Sequence, residues 1–303
     1  MQDRTAMQHK LIVILGPTAT GKSDISVRLA KDVNGEIISA DSRQVYRGMD
    51  IGTGKVTKRE MRGIRHFLLD VASPKSQYSV ARYIRDAQKA SKSILRRGLV
   101  PIVVGGTGLY IDAFTRGLSI PEVPPNKKLR LKLEKLSTEK LFELIRKKDP
   151  YRAKTIDRHN RRRLIRALEI IETHGKVPKP RKQKNKFDTL YIGITLPKEK
   201  LASKINKRLL MRMKIGMIAE VKKLRSQGIS WKKLESFGLE YRNIALYLQK
   251  KVTKKEMVEC LQKDIEHYAK RQMTWFKRHP DILWFSPSEF SKIKKISKKF
   301  LER

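Results

Sequence analysis

Short apolar runs alternate with longer amphipathic stretches through the first third of the chain. The runs Leu11–Leu15, Glu36–Ala40 and Val100–Val104 are each about one strand long and stop at the polar or turn-forming clusters GPTATGKS, DSRQ and GGTG. Near-continuous apolar runs of this length predict strands buried on both faces of a parallel sheet. Between the second and third runs, residues 79–97 set Val80, Ile84, Ala87, Ser91 and Leu95 on one face of a predicted helix. This alternation predicts the α/β class, a parallel sheet core flanked by helices. Ligands of open α/β sheets bind beyond the carboxyl ends of the strands, so the three clusters are expected to line one crevice.

The texture changes after Gly117. The segment IPEVPP interrupts regular structure, basic helical patterns follow over 127–148 and 161–173, and GKVPKPRKQKNKF ends them as a Pro/Lys-rich linker. The run TLYIGITLP then predicts a strand that returns the chain to the sheet. We therefore expect a core domain built from residues 1–118 and 188–303, with a basic, mainly helical insertion domain at 119–187. From Lys198 the pattern is helical almost to the end, without an internal repeat.

Charge adds a partner to this outline. The 303 residues carry 70 Lys and Arg against 30 Asp and Glu, a net charge of +40. Solubility needs far less, and such a surplus marks chains that meet polyanions, nucleic acid first. It is densest in the expected insertion, where residues 121–190 hold 22 basic and 9 acidic side chains. A solvated Lys-rich face is the commoner meaning of a single charge run, but it accounts poorly for an excess of this size. Cys260 is the one cysteine, which excludes an intrachain disulfide, and the six histidines show no zinc-site spacing. Apolar runs are too short to span a bilayer, and MQDRTAMQHK has no signal-peptide core. A cytoplasmic protein without membrane insertion is expected.

The sharpest local signal is GPTATGKS, which matches GxxxxGK[ST] in full between a strand-like run and a helical pattern. In such a loop, backbone N–H groups of Gly16, Pro17, Thr18, Ala19, Thr20 and Gly21 (Pro17 itself lacks one) wrap a phosphate at a helix N-terminus. Lys22 adds a mobile cation, and Ser23 is placed to ligate Mg²⁺. Diphosphate or triphosphate binding follows. An ATPase usually adds a strand ending in an acidic residue, yet Val100–Val104 ends in Gly105 and Gly106. The run EIISAD instead ends in Asp41, which suits a metal-associated carboxylate or a general base, or equally a turn cap beside Ser42.

Several segments together resemble the tRNA dimethylallyltransferase family: GPTATGKS, DSRQVYRGMDIGTGK, GGTGLY, NRRRLIRALEI, RLLMRMKIGMIAEVKKL and AKRQMTWFKR, in family order across most of the chain. The resemblance implies transfer of a dimethylallyl group from its diphosphate to the exocyclic N6 amine of the adenosine 3′-adjacent to the tRNA anticodon. It implies a P-loop-type core in which the loop, with Lys22 and Mg²⁺ at Ser23, holds the prenyl diphosphate, Asp41 is the general base, and Thr107 and Arg208 contact the diphosphate. The family's stretches for gripping the anticodon stem-loop fall on Asp41, Ser42, Arg43 and Gln44, and on Arg162, Arg163, Leu164, Ile165 and Arg166. They continue on Phe237, Gly238, Leu239, Glu240, Tyr241 and Arg242, and on Lys270, Arg271, Gln272, Met273, Thr274, Trp275, Phe276 and Lys277. Trp275 and Phe276 fit core packing as well as RNA stacking. SFGLEYRN departs from the family by placing Glu240 before Tyr241, an acid within an RNA-contacting stretch. A monomer is expected. Two alternatives stay open: an adenylate prenyltransferase that uses a free nucleotide, and a P-loop RNA-binding NTPase or nucleotide kinase.

Overall fold

Strand β1 (His9–Leu15) has apolar side chains on both faces, and a strand of that kind is stable only in the middle of a covered sheet. In the computed structural model, which describes residues 9–118, 120–121, 123–178 and 187–303, it sits there. Helix α1 (Lys22–Asp32) follows, then β2 (Gly35–Ser39), the short α2 (Lys58–Met61), β3 (His66–Phe67), α3 (Val80–Leu95), β4 (Val100–Gly105) and α4 (Gly108–Thr115). Four helices come next: α5 (Lys127–Leu133), α6 (Thr138–Lys148), α7 (Pro150–Thr155) and α8 (Arg161–His174). The chain then re-enters the sheet through β5 (Phe187–Ile194) and continues as α9 (Lys198–Lys214), α10 (Met217–Ser226), α11 (Trp231–Phe237), α12 (Leu239–Leu248) and α13 (Lys254–Phe276). It closes with β6 (Ile282–Phe285) and α14 (Phe290–Glu302). Among the described residues the sheet order is β3-β2-β4-β1-β5-β6, and every pairing is parallel.

Successive side chains of a strand point to opposite faces, so the central strands feed two cores. Leu11, Val13, Leu15, Ile38 and Val103 join α3, α4 and α9–α13 on one side. Ile12, Ile14, Ile37, Ile102 and Val104 pack with α1 and α14 on the other. The chain divides into two compact units, Met1–Gly117 with Lys184–Arg303, and Leu118–Gln183. The second unit has its own core of Leu141, Ile145, Leu164, Ile165, Leu168 and Ile171.

The expectations are adjusted in four places. The buried face of α3 centres on Tyr83, Ala87, Ala90, Ser91 and Ile94, with Val80 and Leu95 partly buried against the same core and Ile84 partly buried; Tyr83 stacks on Tyr110 at 4.2 Å between ring centroids. The pattern over 127–148 is two helices, since Ser137 accepts a hydrogen bond from the Lys140 N–H and starts α6 afresh. The helical C-terminal stretch is broken by β6, and β3 also went unread. Both are edge strands of two to four residues, too short to show a period, and they exist because β5 and β2 offer them backbone partners. Most of the proposed linker, at residues 179–186, lies outside the described residues.

Candidate active site

The carboxyl ends of β1, β2 and β4 bring three loops together, as parallel strands with short connections require. After β1, Gly16 has φ +141°, and a Cβ there would fall 2.2 Å from the Ile194 carbonyl oxygen, so only glycine passes. The loop closes on itself: the Thr20 hydroxyl donates to the Pro17 carbonyl at 2.9 Å, and the Lys22 ammonium donates to the same oxygen. Burial, helped by the neighbouring Arg208, lowers the Lys22 pKa to about 7, while Asp41 pulls it up. A buried ammonium in this state gains strongly from any anion brought beside it. The Ser23 hydroxyl, at the first turn of α1, is exposed and bonds to no other described residue.

After β2, Asp41 caps a turn, as one of the two readings of the sequence has it. One carboxylate oxygen accepts the N–H groups of Arg43 at 2.8 Å and Gln44 at 3.2 Å, which caps the turn. The charge meanwhile reaches Lys22 and Arg208. After β4, Thr107 caps α4 by position, takes the Ser42 N–H on its hydroxyl at 3.1 Å and gives its own N–H to the Ala40 carbonyl at 3.2 Å. The loops at 40–44 and 105–108 are thus stitched together. Arg208 arrives from α9 with no hydrogen bond or ion pair to another described residue, and burial and Arg212 lower its pKa to about 10.

Three members of this site were not found from the sequence. Tyr268 of α13 lies within electrostatic reach of Asp41, and burial together with the Asp41 charge drives its pKa upward. Arg212, one turn beyond Arg208, is buried and pairs with Glu240 at 3.4 Å. Gly54 supplies the room for both guanidiniums, since a Cβ there would lie 1.6 Å from an Arg212 nitrogen and 2.6 Å from one of Arg208. The arginines stood in the quoted sequence at i and i+4, a spacing that puts both on one helix face, and that was the available signal. The Glu240 departure is explained here: it answers a basic pair inside the protein.

The RNA-contact stretches separate into two kinds of side chain. Arg162, Arg163, Lys270, Arg271, Thr274 and Lys277 are exposed, and Met273 and Trp275 are half-buried. Leu164, Ile165, Phe237, Tyr241, Gln272 and Phe276 are buried, so within the implied RNA-contact stretches their side chains serve the core, and for Phe276 this is the core packing the sequence also allowed. Tyr241 donates to Glu220 at 2.7 Å, and Trp275 donates to the buried Asp112 at 2.8 Å while Arg278 stacks on its ring. Arg43 donates to the Phe237 carbonyl at 2.8 Å and the Gln44 amide reaches the Thr53 and Gly54 carbonyls. Arg166 is tied to Glu169 and the Val123 carbonyl, and Arg242 to Asp264. Gly238 and Leu239, both at positive φ, form the junction of α11 and α12.

A groove of about 680 Å³ lined by Arg47, Ile51, Lys75, Ile215 and Glu220 touches none of Lys22, Asp41, Thr107 and Arg208, so it is separate from this site. Among the described residues no cluster of three His, Cys, Asp or Glu is placed to hold a metal, and no helix is long and apolar enough to cross a membrane.

Comparison with known proteins agrees with this geometry. Residues 44–279 match the family model described as IPP transferase. The tRNA dimethylallyltransferase of Halothermothrix orenii is 41% identical over 306 residues, covering 96% of this chain and 93% of the relative. That of Carboxydothermus hydrogenoformans is 40% identical and covers 97% of each. Among solved structures, the full-length tRNA isopentenylpyrophosphate transferase of Bacillus halodurans superposes with a TM-score of 0.74 at 36% identity, covering 97% of both chains. A eukaryotic dimethylallyltransferase solved acting on tRNA gives a TM-score of 0.82 at 27% identity, covering 97% of this chain and 80% of that one. The chain belongs to the IPP transferase family.

Proposed function

We propose that this protein transfers the dimethylallyl group of dimethylallyl diphosphate to the N6 amine of the adenosine 3′-adjacent to a tRNA anticodon. The observation that carries the reading is the meeting of Lys22, Arg208 and Asp41, two half-buried cations and a carboxylate within electrostatic reach, at a phosphate loop. An adenine amine is a weak nucleophile, so the allylic carbon has to be activated by departure of its diphosphate. Negative charge grows on that group as the carbon–oxygen bond stretches. Lys22 and Arg208 are held where they stabilise that charge more than the ground state. Asp41 orients the amine and accepts its proton through the oxygen that the turn does not use. Thr107, held by the Ser42 N–H and the Ala40 carbonyl, contacts the diphosphate in this reading.

Mg²⁺ fits the donors present. Ser23 offers one free hydroxyl, and Mg²⁺ ordinarily takes few protein ligands, filling its shell with water and phosphate oxygens. When bound at Ser23 it would offset charge on the diphosphate. On the RNA side, Arg162 and Arg163 in one unit, and Lys270, Arg271 and Lys277 in the other, supply exposed cations for phosphates. The adenosine has to leave its stack to reach Asp41. We place the activity in the cytoplasm, where tRNA is modified, and assign it to a monomer. The deciding experiment is mass spectrometry of unmodified tRNA after incubation with the protein, Mg²⁺ and dimethylallyl diphosphate. A gain of one five-carbon unit on the anticodon-loop adenosine is expected. Modification of AMP alone, or phosphate release from ATP without prenylation, would overturn the proposal.

A further inference from the structure

We infer that Gln272 is a positioning residue for the diphosphate cradle, not an RNA contact: it sets the spacing between the phosphate loop and the loop after β4. Its carbonyl oxygen accepts the Thr18 N–H at 2.9 Å, and its amide nitrogen donates to the Gly106 carbonyl at 2.8 Å. One planar side chain thus joins two loops that lie 254 and 166 residues away from it in sequence. Gln272 is 6% exposed, and its bond to the Gly106 carbonyl is buried while that from the Thr18 N–H is partly buried. A primary amide is the side chain that matches an N–H on one side and a C=O on the other, because it carries an acceptor and a donor in a fixed plane.

Two further observations support the assignment. A Cβ on residue 106 would fall 2.2 Å from the Gln272 amide nitrogen, so glycine at that position is what admits the strut. The other side-chain hydrogen bonds within the phosphate loop, from Thr20 and Lys22 to Pro17, span five residues or fewer and hold its curl without anchoring it elsewhere. Among the described residues Gln272 is the long-range side-chain anchor of residues 17–21. A consequence follows for the cradle: the Thr18 N–H is committed to Gln272 and is not one of the donors turned to an anion.

The strut sits on α13, whose exposed Lys270, Arg271, Thr274 and Lys277 carry the RNA reading. One face of this helix meets solvent while the other holds the two loops of the site. The inference rests on the proposed function only in naming diphosphate as the anion.

The test uses the full chain with inorganic pyrophosphate and Mg²⁺, titrated calorimetrically into the unsubstituted protein, Gln272→Met and Gln272→Glu. Binding of a fluorescent anticodon stem-loop is measured in parallel, with melting temperature as the check on folding. Gln272→Met removes both bonds. Gln272→Glu is near-isosteric and turns an acceptor towards the Gly106 carbonyl, and it decides the matter if the Met variant does not fold. Pyrophosphate affinity is expected to fall about tenfold in each folded variant, with stem-loop affinity unchanged within about twofold. Unchanged pyrophosphate binding in a folded variant, or loss confined to the stem-loop, would overturn the strut. Failure of the unsubstituted protein to bind pyrophosphate would instead overturn the diphosphate reading of the site.

Discussion

The carboxylate of Glu240 lies 3.4 Å from the guanidinium of Arg212, at the side of the cluster that also holds Arg208. Arg212 is therefore neutralised within the protein, while Arg208, one turn away on α9, has no partner of its own among the described residues. One arginine is balanced internally, and the other, without an ion pair among the described residues, is the one the proposed function sets against the leaving diphosphate.

Burial raises the Glu240 pKa more than Arg212 lowers it, so the carboxylate charge is held at some cost to the fold. Glu240→Gln is accordingly expected to melt within a few degrees of the parent, in contrast to the usual loss on breaking a buried pair. The uncompensated Arg212 charge should tighten inorganic pyrophosphate several-fold at low salt. A steep fall in melting temperature together with weakened pyrophosphate binding would remove this account of Glu240.

Asp41→Asn keeps an oxygen to accept the Arg43 and Gln44 N–H groups, so the turn should survive. Proton acceptance is lost, and turnover should drop by roughly 10²–10⁴-fold, the usual worth of a general base. Single-turnover prenylation measured beside stem-loop binding separates the two effects. Near-normal turnover would show that the carboxylate only caps the turn.

The lowered Lys22 pKa has a definite sign. Between pH 7 and 10.5 the unfolded chain binds a proton that the folded, ligand-free protein does not, so this residue makes stability rise with pH across that window. Pyrophosphate needs the charged ammonium, so above pH 7 its binding should take up a proton and weaken as pH climbs. Calorimetry in two buffers of different ionisation enthalpy reads the proton directly. Lys22→Met should abolish the uptake, and a protonation count that ignores this substitution would place the titrating group elsewhere.

The exposed arginines at the start of α8 are expected to act on phosphates. Arg162→Ala or Arg163→Ala should weaken tRNA binding evenly across anticodon sequences and reduce the salt slope by about 1 each. Leu164→Ala should instead lower the stability of the second unit by about 2–5 kcal/mol, because Leu164 is fully buried in that core. Salt titrations by filter binding and thermal melts check both halves.

How much of this was legible beforehand depends on the range over which each feature is encoded. Leu11–Leu15 announced a two-sided strand, and GPTATGKS a phosphate loop, because strand pleat and loop backbone are set by adjacent residues. The Ser137 cap at the head of α6 is just as local, yet the unbroken helical pattern over 127–148 hid it. The Tyr83–Tyr110 stack was harder, since its two rings come from different elements, α3 and α4. The chain by itself thus determined the strand-forming runs, the phosphate loop with Lys22 and Ser23, the basic surplus and the placement of Asp41 at a strand end. Tertiary structure alone decided that Ile282–Phe285 would be a strand, that Glu240 would meet Arg212, that Tyr268 would come within reach of the Asp41 charge and that Gln272 would clamp Thr18 to Gly106. Periodicity records which way a residue faces on its own element. It carries no record of which polar group from a distant element will be there to satisfy it, and that pairing is settled only when burial removes water as the competing partner.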